Sequence, residues 1–154
     1  MIVSERKGIT VRHVGVVVKD LARSLQFYRD LLGFRVVKQM EESGAYLDSL
    51  LALKNARVTT VKLAPPRSGP GVPVIELLQF HSHADESPAP RTIYTIGPTH
   101  VAFTVDDLDA LYQRLLQAGV RFNAPPQRSP DGSAAVCCCQ DPDGMTVELV
   151  EAAR

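Results

Sequence analysis

A pattern that begins at a histidine occurs twice in this chain, and it restricts the folds that the chain can adopt. Residues 11–21 read VRHVGVVVKDL, and residues 98–108 read PTHVAFTVDDL. His13 is matched by His100, and Asp20 by Asp107, each 87 residues later. Since two copies of one supersecondary unit bury similar apolar faces, the repeat predicts two similar modules.

Each histidine-containing strand is followed by the pattern of an amphipathic helix. In the first copy Asp20 is a suitable N-cap and Gly33 a suitable C′ residue. The stripe predicted to be buried there is Leu21, Leu25, Tyr28 and Leu32. In the second copy Asp106 or Asp107 begins the helix and Gly119 ends it. Its predicted stripe is Leu108, Leu111 and Leu115.

Short β-rich runs follow each helix, so each copy is predicted to have the order β-α-β-β-β. The predicted strands are Phe34–Gln39, Arg57–Leu63 and Val72–Phe80 in the first copy, and Val120–Asn123, Ala134–Gln140 and Met145–Val150 in the second. The sequence DPDG at 141–144 predicts a turn before the last strand.

The first copy is the longer one. Its additional residues are predicted to lie in Ser43–Leu53, as a short helix or lid, and in the Pro- and Gly-rich loop Ala64–Pro73. The polar stretch His81–Arg91 is predicted to be a solvated linker. We therefore expect one domain, 1–154, built from a first module 10–80, a linker 81–97 and a second module 98–151.

Strand alternation places both histidines on the face away from the helix. Side chains alternate between the two faces of a strand, so His13 lies opposite the apolar set Val14, Val16 and Val18. In the same way His100 lies opposite Val101, Phe103 and Val105. Glu148 is opposite Val147 and Leu149 in the last strand.

Glu76 is a lone charge in the otherwise apolar strand VIELLQF. Because a buried, unpaired carboxylate costs several kcal/mol, Glu76 needs a partner, solvent or a metal. A single histidine or glutamate in a strand is more often structural or solvated. The recurrence of a His and Glu pair in both copies favours a joint site instead. His13, Glu76, His100 and Glu148 together form an N2O2 set that suits Ni, Co, Zn, Fe(II) or Mn.

Other potential ligands fit a metal site less well. The adjacent cysteines Cys137, Cys138 and Cys139 cannot chelate one ion from a strand, so we interpret them as small apolar residues, one of which could line the metal side. His81 and His83 lie in the polar linker and are predicted to be solvated. Arginine or lysine residues near loops could bind an anionic substrate, but the sequence does not single one out.

The charge balance and the lack of targeting segments exclude several classes of protein. The 154 residues contain 17 basic and 17 acidic side chains, which leaves no basic field for nucleic acid or a membrane surface. The N-terminus lacks the apolar region of a secretory signal, and no apolar run approaches the length of about 18 residues that spans a bilayer. Three cysteines without framework spacing favour the reducing cytoplasm.

The two histidine motifs, the sequence FYRDLLGF at 27–34 and the sequence DPDGMTVEL at 141–149 resemble the vicinal-oxygen-chelate superfamily. That superfamily includes glyoxalases, methylmalonyl-CoA epimerase, extradiol dioxygenases and bleomycin- or fosfomycin-resistance proteins. The resemblance covers roughly residues 10–151. It implies an α+β fold in which two βαβββ modules form a half-open curved sheet around a metal cleft, commonly in a homodimer.

The resemblance also implies a chemistry. The metal ligands would be His13, Glu76, His100 and Glu148, binding one divalent ion. A small substrate would chelate it through two vicinal oxygens. Glu76 or Glu148 would move a proton α to a carbonyl through an enediolate-like intermediate, as in a lyase, isomerase or epimerase. Two alternatives remain open: an Fe(II)-dependent extradiol-type dioxygenase using His13, His100 and Glu148, and a non-catalytic resistance-type binding protein.

Overall fold

The computed structural model describes residues 11–67, 69, 74–86 and 92–153. The chain divides into two compact units, 1–84 and 85–154. The predictions made for residues 1–10, 68, 70–73, 87–91 and 154 lie outside the described residues. No helix in the described part has the length and apolar character needed to cross a bilayer.

The described residues of the first unit form four strands and two α-helices. In chain order these are β1 (His13–Val17), α1 (Leu21–Leu25) with a π-helical continuation (Gln26–Leu31), β2 (Arg35–Ser43), α2 (Ala45–Leu51), β3 (Arg57–Ala64) and β4 (Val74–Phe80). The sheet has the order β1-β4-β3-β2, with β1 parallel to β4 and the other pairs antiparallel. The predicted short helix within Ser43–Leu53 is therefore present as α2.

The second unit repeats this topology. It contains β5 (His100–Thr104), α3 (Leu108–Gln117), β6 (Gln127–Arg128), β7 (Ala134–Gln140) and β8 (Thr146–Ala152). The sheet order is β5-β8-β7-β6, again with one parallel pair, β5 with β8, and antiparallel neighbours. Both units thus have a mixed, open four-stranded sheet, and the predicted α+β fold of two βαβββ modules is confirmed.

The helices begin in the same way in both units. The Asp20 carboxylate accepts hydrogen bonds from the amides of Ala22 and Arg23, and Asp107 accepts one from the amide of Ala110. A side chain at the end of the last strand completes each cap. Gln79 Oε1 accepts from the Leu21 amide at 3.0 Å, and Glu151 Oε2 accepts from the Leu108 amide at 2.7 Å. These bonds fix each helix to the strand that carries the candidate glutamate.

The first helix buries a different set of side chains from the predicted stripe. Its buried residues are Leu21, Ser24, Phe27 and Tyr28, whereas Leu25 and Leu32 are only half-buried. The prediction assumed an α-helix throughout, but from Gln26 the helix is π-helical. Leu21 and Tyr28 are thus buried as predicted, and Ser24 and Phe27 are buried in addition. In α3, Leu108 and Leu115 are buried as predicted, and Leu111 is half-buried.

One predicted strand was wrong. In 120–123 only Phe122 forms an isolated bridge, to Cys139, and the fourth strand of the second sheet is the two-residue β6. Two consecutive prolines, Pro125 and Pro126, lie just before β6 and restrict pairing there. The DPDG turn is present as predicted. The buried Asp141 side chain accepts from the amides of Asp143 and Met145, and Gly144 has φ 88°.

Candidate metal centre

The first candidate pair, His13 and Glu76, is brought together by the parallel pairing of β1 with β4. Gly15 is the direct partner of Glu76, so His13 is its diagonal neighbour. The distance from His13 Nε2 to Glu76 Oε2 is 3.1 Å. The two side chains are 32% and 13% exposed, so the glutamate is the more enclosed partner.

The second pair has the same arrangement in the other unit. Ala102 is the direct partner of Glu148, and His100 is the diagonal neighbour. His100 Nε2 lies 3.4 Å from Glu148 Oε2, with side chains 41% and 28% exposed. Each unit therefore presents one imidazole and one carboxylate in the same register on equivalent strands.

The distances within both pairs fit the edge of a metal coordination shell. Nitrogen and oxygen ligands bind first-row divalent ions at about 2.0–2.2 Å. Two such ligands at an angle of about 90–110° lie about 3.0–3.4 Å apart, and the observed separations are 3.1 and 3.4 Å. An unprotonated imidazole nitrogen and a carboxylate both offer lone pairs, so each pair needs a shared proton or a cation to bring them this close.

The second ring nitrogen differs between the two histidines. His100 Nδ1 lies 2.9 Å from the Thr99 hydroxyl oxygen, a contact that can fix the tautomer and leave Nε2 available as a ligand. His13 Nδ1 is buried and has no hydrogen-bond partner among the described residues. Such an unsatisfied buried group is unusual in a structural histidine and is more typical of a functional site.

No group of three or more histidine, cysteine, aspartate or glutamate side chains suited to a metal gathers among the described residues. Each unit supplies two of the four predicted ligands. The fit to a divalent metal rests on each pair by itself.

Each glutamate also pairs with a residue in the antiparallel neighbouring strand, and this residue differs between the two units. Lys62 is the direct partner of Glu76 across β3 and β4, and its Nζ lies 3.6 Å from Glu76 Oε1. At the equivalent place in the second unit Cys138 is the direct partner of Glu148. Lys62 is not among the site residues predicted from the sequence, because its position opposite Glu76 depends on the strand register. The sequence signal for its position is the spacing of Val58, Thr60 and Lys62, which places these three side chains on one face of the strand.

Helix α2 covers one end of the face that carries His13 and Glu76. Leu47 of α2 is buried with Val58, and Leu78 and Phe80 pack against this cluster. Leu78 and Phe80 follow Glu76 on the same face of β4, since they are two and four residues further along the strand. The segment predicted as a helix or lid therefore forms a wall beside the candidate pair.

The three cysteines divide between the two faces of β7, as strand alternation requires. Cys137 and Cys139 are buried. Burial raises the pKa of the Cys137 thiol to about 11 and that of Cys139 to about 12. Cys138 is half-buried on the Glu148 side, and its thiol pKa is raised by burial and then by the Glu148 charge. The expectation that one cysteine lies on the metal side applies to Cys138.

The linker histidines take no part in either pair. His81 and His83 are both exposed, as expected for solvated residues. His81 Nε2 lies 2.7 Å from the Thr59 hydroxyl, and His83 Nδ1 lies 2.8 Å from the Ser82 hydroxyl. These contacts are local to the edge of the first sheet.

Comparison with known proteins agrees with the observed fold. Residues 10–149 match the family model of the glyoxalase/bleomycin resistance protein/dioxygenase superfamily. The chain belongs to this superfamily. The family resemblance inferred from the sequence motifs is thereby confirmed.

Relatives within the superfamily include enzymes. The chain is 33% identical over 150 residues to a lactoylglutathione lyase of Pseudomonas aeruginosa, covering 91% of this chain and 81% of that protein. It is 28% identical over 147 residues to a 2-epi-5-epi-valiolone epimerase of an Actinomyces species, covering 93% and 79%. A crystal structure of a glyoxalase family protein from Bacillus cereus has TM-score 0.83 and 23% identity over 98% of this chain and 99% of that one. This last likeness concerns the fold alone.

Proposed function

We propose that this protein is a metal-dependent lyase or isomerase of the glyoxalase type, which moves a proton α to the carbonyl of a small substrate with vicinal oxygens. The observation that carries the proposal is the diagonal His and Glu pair, repeated in the same register in both units. The ligands would be His13, Glu76, His100 and Glu148. One divalent ion, Ni, Co, Zn, Mn or Fe, suits this donor set.

When bound, the ion supplies Lewis-acid stabilisation of the negative charge that develops on the substrate oxygens. The chain supplies the proton transfer. A carboxylate near the α-carbon accepts the proton and returns it to the same or the neighbouring carbon, as general acid–base catalysis requires. Glu76 and Glu148 are the two carboxylates of the donor set, and both are candidates for this role.

The surroundings of the two carboxylates favour Glu148 as the base. The Lys62 ammonium group lies near the second oxygen of Glu76 and holds it electrostatically. Glu148 is more exposed and faces the neutral thiol of Cys138 at the equivalent place. A carboxylate without a fixed cation on its second oxygen is freer to turn toward substrate, so Glu148 is the better donor and acceptor of the proton.

The proposal includes a homodimer in the cytoplasm. Three unpaired cysteines are compatible with a reducing compartment, and superfamily members often dimerise.

Metal content and proton exchange test the proposal together. Protein purified without an affinity tag would be analysed for bound elements as wild type, Glu76→Gln and Glu148→Gln. Vicinal-oxygen compounds, including the adduct of methylglyoxal with glutathione, would be incubated with it in D2O, and loss of the α-proton signal would be followed by NMR. We expect about one divalent ion per chain in the wild type, weakened binding in both variants and exchange that depends on the ion.

Other outcomes would assign a different function. Iron retained in the wild type and in Glu76→Gln, with oxygen consumption on a catechol, would replace the proposal by the dioxygenase alternative. Absence of metal after reconstitution with each of the five ions would contradict the catalytic proposal. A resistance-type binding protein would then remain.

A further inference from the structure

Three charged residues form a row across the first sheet, on the face that carries the candidate pair. Glu76 of β4 is the direct partner of Lys62 in β3, and Lys62 is the direct partner of Lys38 in β2. Residues paired directly across neighbouring strands point to the same face, so Glu76, Lys62 and Lys38 lie side by side. The row starts next to His13, the diagonal neighbour of Glu76.

Two lysines directly opposite each other are unfavourable in a sheet, because like charges in a cross-strand pair repel. Glu76 is the ion-pair partner of Lys62, at 3.6 Å, and in the part of the chain that the structure describes Lys38 forms no ion pair. Glu42, the acidic residue further along β2, accepts a hydrogen bond from the Thr60 hydroxyl at 2.7 Å instead. The row thus holds more positive than negative charge.

The second unit shows that this fold does not need a cation beside the glutamate. Cys138 occupies the position equivalent to Lys62, and Glu148 and His100 still form their pair. Lys62 is also only 26% exposed, so its ammonium group is held at the face rather than extended into solvent. A metal on Glu76 would compete with Lys62 for the carboxylate charge.

We infer that Lys62 and Lys38 form the binding site for an anionic group of the substrate. The inference rests on the proposed function and narrows its substrate class: an α-hydroxy or α-oxo carbonyl compound that carries a carboxylate or phosphate. Neighbouring strands lie about 4.8 Å apart, so the anionic group binds about 5–10 Å from Glu76. At this distance the anionic group of the substrate is only a few bonds away from its vicinal oxygens.

Binding of three related compounds tests this site. Dihydroxyacetone phosphate carries a phosphate, hydroxypyruvate carries a carboxylate, and dihydroxyacetone is neutral, while all three have vicinal oxygens. Dissociation constants would be measured by calorimetry with the metal-loaded protein and, in the presence of a chelator, with the metal-free protein. We expect at least one anion to bind about tenfold more tightly than dihydroxyacetone, because charge-assisted hydrogen bonds are the stronger ones.

Lysine variants test whether Lys62 and Lys38 cause the tighter binding of the anion. Lys62→Met is expected to abolish the advantage of the anion, Lys38→Met to reduce it several-fold, and Lys62→Arg to retain most of it. Lys54→Met is the matched control, since Lys54 is exposed and precedes the opposite end of β3. Raising KCl from about 0.05 to about 0.5 M should weaken anion binding in the wild type and leave dihydroxyacetone unaffected.

The outcomes separate this inference from the proposed function. Equal binding of the anions and dihydroxyacetone, or an anion advantage that survives both Lys62→Met and Lys38→Met, overturns the anion site even if the metal binds. A lysine-dependent advantage in the metal-free protein supports the site even if no metal can be loaded. If Lys62→Met does not fold, as judged by circular dichroism, Lys38→Met and Lys62→Arg decide. The tighter of the two anions identifies the group as phosphate or carboxylate.

Discussion

The Nε2 atom of His13 lies 3.1 Å from the Oε2 atom of Glu76. The two residues are in the first and the last strand of the first unit, which are neighbours in its sheet. Because a metal ion bound between them would replace a shared proton, removal of the imidazole should weaken metal binding. We expect His13→Gln and His100→Gln each to lower the affinity for Zn or Ni by about 100-fold or more. Competition with a chromogenic chelator measures the affinity.

His83→Gln provides the control for this prediction, because His83 is exposed and its Nδ1 lies 2.8 Å from the hydroxyl of the neighbouring Ser82. Its metal affinity should equal that of the wild type. A variant at His13 that binds metal as tightly as His83→Gln would show that His13 is a structural residue hydrogen-bonded to Glu76.

The buried side chain of helix α2 is Leu47. Leu47 is 6% exposed and packs with Ala56 and Val58. Truncation of a buried leucine leaves a cavity, so Leu47→Ala should lower the free energy of unfolding by about 2–4 kcal/mol. Urea unfolding measures the loss, and hydrogen exchange should show faster exchange throughout Ala45–Leu51.

Leu50 in the same helix is the matched control, because it is 64% exposed. Leu50→Ala should change stability by less than about 0.5 kcal/mol. Equal destabilisation by the two variants would mean that the side of α2 that carries Leu50 is buried in the functional protein.

The cysteine thiols should react in a defined order. Cys138 is half-buried, whereas Cys137 and Cys139 are buried, with pKa values raised to about 11 and about 12 by burial. All three are therefore protonated at pH 8. We expect a maleimide to label Cys138 first, and Cys138→Ser to remove this first adduct in mass spectra of the intact protein.

The raised pKa of Cys137 makes the stability of the protein depend on pH. Below the ordinary thiol pKa of 9.0, the Cys137 thiol is protonated in both the folded and the unfolded state, and the free energy of unfolding does not depend on its titration. As pH rises from 9.0 toward about 11, the unfolded state loses the Cys137 proton while the folded state keeps it, so stability falls. Urea midpoints that decline over this range in the wild type and less steeply in Cys137→Ala would agree. Rapid labelling of Cys137 at pH 8 would contradict it.

Much of the local structure could be predicted from particular residues. Asp20, Asp107, Gly33 and Gly119 marked both helix ends, because caps depend on short-range hydrogen bonds and positive φ. The 134–140 strand was predicted with its observed bounds. Errors arose where packing against distant residues decides burial: Leu25 and Leu32, predicted in the buried stripe, are only half-buried, and Val14, predicted on the apolar face, is 37% exposed.

The sequence alone determined the repeat, the superfamily and the four candidate ligands, because these depend on residue types at fixed spacings and on the alternation of side chains along a strand. Only the tertiary structure decided which residues face one another. Strand register set the diagonal pairing of His13 with Glu76 and placed Lys62 and Lys38 beside them. Register is a property of the hydrogen bonds between strands distant in the chain. The alternation within one strand therefore gives the face of each side chain but not the residue that lies opposite it.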